Sequence, residues 1–495
     1  MPQGRRAASS VHGARRRAPR AGAAALALGL LGAVPASSTP LAEPAVGWLA
    51  SYLRIDTTNP PGGEADAAAF LHQLIAREGR SQLEITSLVS PRGRVSLLAR
   101  LPGTTQALEA PLLLLHHSDV VPAGDEDQWT HPPFSGRIAD GRIWGRGAID
   151  SKGLGVAHLA ALLELARSQP RRSRDVYLLA AADEETGGSQ GVGWLLQRHA
   201  DLFPRDLLVL GEGGANRVNQ QQVVWWGIEN AQKRPLWLRL RFRGEGGHGS
   251  TSGGNPVDKL LRGLARLDEL RAAPRLTRPL WEHLRVAAPI ASSEHAERFG
   301  RDFSSGLAVW NELNEAGLRI RWIPPGYSSV LLDTVQVSSV LAGSGVVNVK
   351  PSSAEATLDV RLLPDTDQDR FLQELRRLFD RGLEIEVLLE TPELPDPSPD
   401  HPDLALLEEV LAATAPVVPV MISGTTDARY FRELGIAAFG FSPFLLERED
   451  TNSIHAHDES IATDVFRRGV ATMTRVLVRY TTPPEPGFRP TVPAP

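Results

Sequence analysis

Residues 112–119 read LLLLHHSD. Four consecutive leucines show neither the 3.6-residue period of an amphipathic helix nor the alternation of a half-wet strand. A short, wholly apolar run of this kind fits a strand covered on both faces, as in a parallel sheet. Chemistry-bearing side chains then follow at once at the strand's carboxyl end. The same layout recurs twice downstream. Residues 176–182 (VYLLAAA) run into Asp183-Glu184-Glu185, and residues 207–210 (LLVL) run into Gly211-Glu212-Gly213. Helical patterns lie between these runs, at residues 64–80 (EADAAAFLHQLIAREGR) and 153–168 (GLGVAHLAALLELARS), with a further strand at 95–101. Strands separated by helices imply crossover units, so the expected fold is α/β with a doubly wound, mostly parallel sheet.

Working outward, the pattern changes at Pro235. Residues 236–243 (LWLRLRFR) place Leu238, Leu240 and Phe242 on one face and Arg239, Arg241 and Arg243 on the other. That period of two fits a sheet with one wet face, and residues 356–362 (ATLDVRL) repeat it. Residues 233–390 are therefore expected to form an inserted α+β domain. It divides the large domain into a first part, 45–232, and a second part, 403–480, reached through the proline-rich linker 391–402. Residues 481–495 (TTPPEPGFRPTVPAP) read as a disordered tail.

The amino terminus is a separate object. Residues 1–20 hold six arginines and no acid, and residues 21–34 (AGAAALALGLLGAV) are an apolar run too short to span a bilayer comfortably. Small residues follow at Val34-Pro35-Ala36. This is the layout of a secretory signal peptide over residues 1–36 and predicts an exported protein, periplasmic or secreted, with no stable membrane insertion after cleavage. Removing those six arginines from 53 Lys+Arg leaves 47 against 58 Asp+Glu, a net charge of -11. A nucleic-acid surface is not expected from that balance. The chain has no cysteine, which excludes disulfides, thiolate metal sites and a Cys nucleophile; any metal must be held by His and carboxylates.

Taken singly, the polar clusters are ambiguous. His117 suits a metal ligand oriented by Asp119, or a satisfied polar pair. Asp150, in GRGAIDSKG just before a helix, suits a helix cap or a carboxylate bridging two cations. Three successive acids at 183–185 are either a solvated turn or a cation site, because like charges repel. Glu212, between glycines, repeats the arrangement, and residues 453–459 (SIHAHDE) place His455 and His457 among acids. Together, His117, Asp150, Glu185, Glu212 and His455 come from separate strand ends and make five N/O ligands, a set suited to two zinc ions sharing a carboxylate. GEGGHG at 244–249 fits a dinucleotide fingerprint, but its preceding strand is half wet rather than buried, so nucleotide binding is not expected. A buried or interface histidine at His248 is the alternative.

Over residues 47–480 these motifs resemble the two-zinc aminoacylase, glutamate carboxypeptidase and acetylornithine deacetylase family. The resemblance runs through His117-Ser118-Asp119-Val120-Val121-Pro122, Trp129, Gly145-Arg146-Gly147, Asp150, Lys152, Asp183-Glu184-Glu185, Gly211-Glu212-Gly213, Gly247-His248-Gly249-Ser250, Asn348 to Pro351, Asp359-Val360-Arg361 and His455 to Glu459. Gly424-Thr425-Thr426-Asp427-Ala428-Arg429-Tyr430, Phe441-Ser442-Pro443 and the long insert near 275–335 are similar to the carboxypeptidase S and secreted N-acyl-amino-acid hydrolase branch. Thr425, Gly211 and His457 depart from the common pattern.

The resemblance implies a zinc-dependent hydrolase of the amide or peptide bond beside a C-terminal amino acid with a free carboxylate. Its two Zn2+ ions, replaceable by Co2+ or Mn2+, would activate water. One would be held by His117, Asp150 and Glu212, the other by Asp150, Glu185 and His455. It further implies Glu184 as the general base, Asp119 and His248 as further catalytic residues, and His248 with Asn348 on the oxyanion, His248 reaching across a homodimer. Arg361, Gly424 and Thr425 would grip a small peptide or N-acyl amino acid. The alternative on the same fold is an exported, non-catalytic metal- or peptide-binding protein. That reading expects a missing ligand or base, and all are present.

Overall fold

In the computed structural model, the described residues are 40–483 apart from 80–81, 107, 252–253, 271–273, 295–327, 344, 396 and 398–400. The expected leader 1–36, the tail beyond 483 and the middle of the 275–335 insert lie outside them. The described residues form one compact unit.

Within the described residues the main sheet has nine strands. Its order is Glu84–Val89, Val95–Leu101, Val176–Ala181, Leu112–His117, Leu208–Gly211, Ala437–Phe441, Gln222–Gln232 and Val417–Ile422, with Arg217–Asn219 pairing on Gln222–Gln232. Leu112–His117 is parallel to both neighbours, Val176–Ala181 and Leu208–Gly211, and Ala437–Phe441 continues the parallel run. The leucine run explains this placement. Leu112 and Leu114 pack into a core with the helix Lys152–Ser168, while Leu113 and Leu115 pack into a second core on the other face with Val192, Leu195 and Phe431. Successive side chains point to opposite faces, so a strand covered twice must be apolar throughout. The helix that follows, Lys152–Ser168, is buried around most of its circumference, from Leu154 to Ala166.

The chain leaves this sheet through a single residue. Gln222–Gln232 ends, Lys233 intervenes, and Arg234–Arg243 begins a four-stranded antiparallel sheet ordered Thr334–Ala342, Ser353–Leu362, Arg234–Arg243, Glu384–Glu390. Leu236, Leu238, Leu240 and Phe242 are fully buried against Ala354, Ala356, Leu358 and Val360 and the helices Pro256–Leu264 and Gln368–Arg377. The opposite face is ionic. Arg239 donates to Glu386 at 2.8 Å and Arg241 to Glu355 at 2.8 Å. After Glu390 the chain returns to the main body and enters the helix Pro402–Leu411.

Candidate active site

Three adjacent parallel strands deliver their carboxyl ends to one place, where ligands of open α/β sheets gather. His117 ends the first, residues 183–185 follow the second, and Glu212 follows the third. Two loops complete the cluster. Residues 145–151 bring Asp150, and residues 453–459 bring His455.

The geometry centres on Asp150. One of its oxygens, Oδ1, lies 2.9 Å from His117 Nε2, and the other, Oδ2, lies 3.2 Å from His455 Nε2. Glu212 Oε2 is 3.2 Å from His117 Nε2, and Glu185 Oε2 is 3.5 Å from His455 Nε2. The side chains thus form two His/carboxylate groups sharing one aspartate. Glu184 stands beside them: atoms of His117, Glu184 and Glu212 lie within 4.8 Å of one another, as do atoms of His117, Asp150 and Glu185. The cap reading of Asp150 is corrected here. Ser151 occupies the N-cap of Lys152–Ser168, and the Asp150 carboxylate turns to the two histidines.

Four carboxyl groups meet two imidazoles in the cluster, and each shifts the others' affinity for protons. Burial and the neighbouring carboxylates push Glu212 up to about 7, and burial with Glu212 pushes Glu184 well above the usual carboxylate range. Burial disfavours a charged His117, yet Glu212 and Asp150 hold its imidazolium well above the ordinary value. Hydrogen bonds to Asp150 and Glu185 raise His455 to about 10. Such a pocket binds protons avidly, and a metal competes with them for the same lone pairs. Glu185 Oε1 is also buried without a partner among the described residues. Two imidazoles and three carboxylates, with no thiolate, fit divalent cations such as zinc, cobalt or manganese.

The supports of this cluster were only partly legible. His117 Nδ1 is oriented by the Asp119 main-chain carbonyl at 2.9 Å; the Asp119 carboxylate is 3.8 Å away. That carboxylate instead accepts from the main-chain N–H groups of Glu184 and Glu185, both at 3.1 Å, and from Asn59 Nδ2 at 2.7 Å. It therefore positions the acidic turn rather than the imidazole. Arg94 anchors the same turn, donating to Asp183 at 3.0 Å, to Asn59 at 3.1 Å and to Glu64. Neither Asn59 nor Arg94 stands out in the sequence, because each acts only after folding brings it 60 or more residues across the chain, from Asn59 to Asp119, and from Arg94 to Asp183.

Glu459 is a further missed support. Fully buried, it accepts from Arg146 Nη1 at 2.8 Å and from the main-chain N–H groups of Gly147, Ile149 and Asp150 at 3.1, 2.9 and 3.1 Å. It clamps the loop that presents Asp150. Within 453–459, then, only His455 joins the cluster; Asp458 instead accepts from Thr130 N at 2.6 Å, and His457 packs edge-on to Trp129.

The remaining expected residues lie apart. A small cavity beside the cluster is walled by His117, Glu184, Glu212, Thr426 and Asp427. Gly424 and Thr425 are not on that wall; Thr425 Oγ1 accepts from Arg429 at 3.0 Å. Arg361, on the inserted sheet, pairs with Asp359 at 2.7 Å and lies over Trp237. His248 is exposed, which corrects the buried reading. It sits in the short pair Gly247–His248 with Val349–Lys350, beside the exposed Asn348. The fingerprint reading of 244–249 also fails, since the preceding strand is antiparallel to both neighbours.

The chain is 29% identical over 447 residues to aminoacylase-1 of Sus scrofa, covering 88% of this chain and 95% of that protein. It is 28% identical over 395 residues to an N-fatty-acyl-amino acid synthase/hydrolase of Xenopus tropicalis, covering 76% and 73%. In structure it is similar to an M20 family metallo-carboxypeptidase from Sulfolobus solfataricus, with a TM-score of 0.64 at 20% identity, covering 88% and 99%. The model of Peptidase family M20/M25/M40 matches residues 113–479, from the central leucine strand to the last helix, and the chain belongs to that family of hydrolases.

Proposed function

We propose that this protein hydrolyses the amide or peptide bond next to a C-terminal amino acid bearing a free carboxylate, with two zinc ions in the Asp150-centred cluster. Cobalt or manganese would be functional substitutes. The observation that carries this reading is the sharing of Asp150: its two oxygens face His117 and His455 separately. His117, Asp150 and Glu212 would hold one cation, and Asp150, Glu185 and His455 the other. The names of the relatives support N-acyl amino acids or small peptides as substrates.

When bound, the cation pair lowers the pKa of water and polarises the scissile carbonyl. Glu184 accepts the proton of the water as its oxygen bonds to the carbonyl carbon. The carbonyl π pair moves to oxygen. Glu184 then returns the proton to the nitrogen as the C–N bond breaks, leaving a carboxylate and an amine. Glu184 lies against His117 and Glu212, in place to take that proton. The turn held by Asp119 and Arg94 fixes where Glu184 stands.

The protein is further proposed to act as an exported homodimer. Export rests on the arginine-rich start and apolar run of residues 1–36. Dimerisation is supported by the edge strand Thr334–Ala342, which carries exposed Val337, Val340 and Leu341 beside an exposed Val347. An unpaired apolar edge suits addition of a second copy. His248 and Asn348 lie on the same inserted domain and would then reach the partner's cluster.

The test is a mass-spectrometric screen of the zinc-loaded protein against dipeptides and N-acyl amino acids, each with a free and an amidated C-terminus. Cleavage confined to the free-carboxylate members is expected. Equal cleavage of both sets would remove the carboxylate requirement, and no cleavage of either would favour a binding protein on this fold.

A further inference from the structure

The two connections between the sheets run side by side and enclose a small cavity. Its lining includes Gln232, Lys233 and Arg234 from the outgoing connection, Thr391 and Leu394 from the returning one, and Arg432. The space is about 10 Å³, enough for one water-sized occupant. Its polar chemistry is one-sided. Gln232 Nε2, Arg234 Nε and Thr391 Oγ1 are buried without partners among the described residues, on residues only 6%, 6% and 2% exposed.

The orientation of Gln232 is fixed, because its Oε1 accepts from Thr426 N at 2.9 Å. The free atom is therefore the NH2 donor. The terminal nitrogens of Arg234 are directed to the carbonyls of Thr366 and Thr391, leaving Nε–H free. Arg432 is already paired with both oxygens of Glu229, at 2.9 Å each. Asp333, Asp365 and Glu393 act on Arg234 through space but do not hydrogen-bond Nε. Burial still outweighs Asp333 at Lys233, holding its amine down to about 8 although it donates to Thr334. Two N–H donors, those of Gln232 and Arg234, and one Thr391 hydroxyl free to donate thus belong to residues lining the space, and Lys233 and Arg234 bring their positive charge to it. A water accepts from two donors and must place two protons of its own; a spherical anion accepts from all three and has none to place.

We propose that this cavity is a halide site, filled by chloride, that fastens the outgoing connection to the returning one. The proposal is independent of the hydrolase reading. The test is a melting-temperature titration of the full, metal-loaded chain with sodium chloride and sodium bromide against sodium gluconate at matched ionic strength, together with a crystal grown in bromide. A saturable rise with both halides is expected, absent with gluconate. An anomalous bromide peak is expected within hydrogen-bond reach of Gln232 Nε2 and Arg234 Nε. Thr391→Val keeps the volume and removes one donor, so the half-saturating halide concentration should rise about tenfold. Halide-independent melting, a bromide peak only at the His/carboxylate cluster, or an unchanged titration in Thr391→Val would each overturn the proposal.

Discussion

At the scale of single residues, Glu184 and Glu185 are adjacent in sequence, and the proposed function gives them opposite duties. Glu185 faces His455 and has a second, unpartnered oxygen. Glu184 stands beside His117 and Glu212 but outside the pair of groups joined by Asp150. Glu184→Gln should keep two metal ions per chain and lower kcat by about 10²–10⁴, the range for a lost general base. Glu185→Gln should instead lose one ion, read by plasma emission spectrometry after gel filtration. Loss of metal from Glu184→Gln would make it a ligand. Most of the metal-ligand candidates were legible because each ends an apolar strand, where burying a charge needs a reason. Asp150 was not legible alone: whether a pre-helical Asp caps the helix depends on backbone angles, and here Ser151 takes the cap position. The carboxylate of Asp119 was misjudged for a similar reason. Its partners are two main-chain N–H groups, which side-chain identity does not announce.

At the scale of elements, the site rests on contacts that cross between strands and helices. Arg432, in the helix Ala428–Glu433, forks onto Glu229 in the strand Gln222–Gln232 and also donates to the Ala438 carbonyl at 3.0 Å. Both side chains are almost fully buried. Arg432→Met should cost about 3–5 kcal/mol, since it strands a buried carboxylate. Glu229→Leu combined with Arg432→Met should recover much of that loss, as measured by urea denaturation. A double variant no better than the single one would show that the packing of the guanidinium, not its charge, dominates.

The helix Lys152–Ser168 carries a second test. His158 is buried with neither ring nitrogen partnered among the described residues, and burial holds its imidazole down to about 3. The unfolded chain takes up a proton near pH 6.5, whereas the folded chain does not. This group's stabilisation is therefore complete above pH 6.5 and is lost as pH falls, by about 1.4 kcal/mol per unit, until the folded value is reached. His158→Leu should remove that slope, seen as a stability difference from wild type that shrinks or reverses between pH 7 and 5. Identical pH slopes in the two proteins would mean that the ring is protonated or partnered when folded. The helix itself was legible from its apolar run; a histidine on its buried face was not, because periodicity reports burial and not the protonation state enforced there.

At the scale of the whole molecule, the switch from continuous apolar strands to alternating Leu and Arg near Pro235 marks a real change of sheet. Residues 112–115 are covered on both faces, whereas 236–243 bury only alternate positions. What the pattern does not reveal is whether the inserted sheet meets a second chain. His248 is exposed, as are Val337, Val340 and Leu341 on the sheet's free edge. If His248 completes the partner's cluster in the proposed homodimer, two defective chains should complement each other. One chain carries Glu184→Ala and keeps His248; the other carries His248→Ala and keeps Glu184. In the mixed dimer the second chain's cluster has its own Glu184 and borrows His248, while the first chain's cluster lacks both. Random 1:1 reassociation gives half mixed dimers with one working site in two, so about a quarter of wild-type activity should return. If His248 served its own chain, every cluster would lack one residue and the mixture would stay as inactive as its parents. Sedimentation of the mixture separates these outcomes from a failure to associate, because a monomeric population would itself refute the shared-site arrangement.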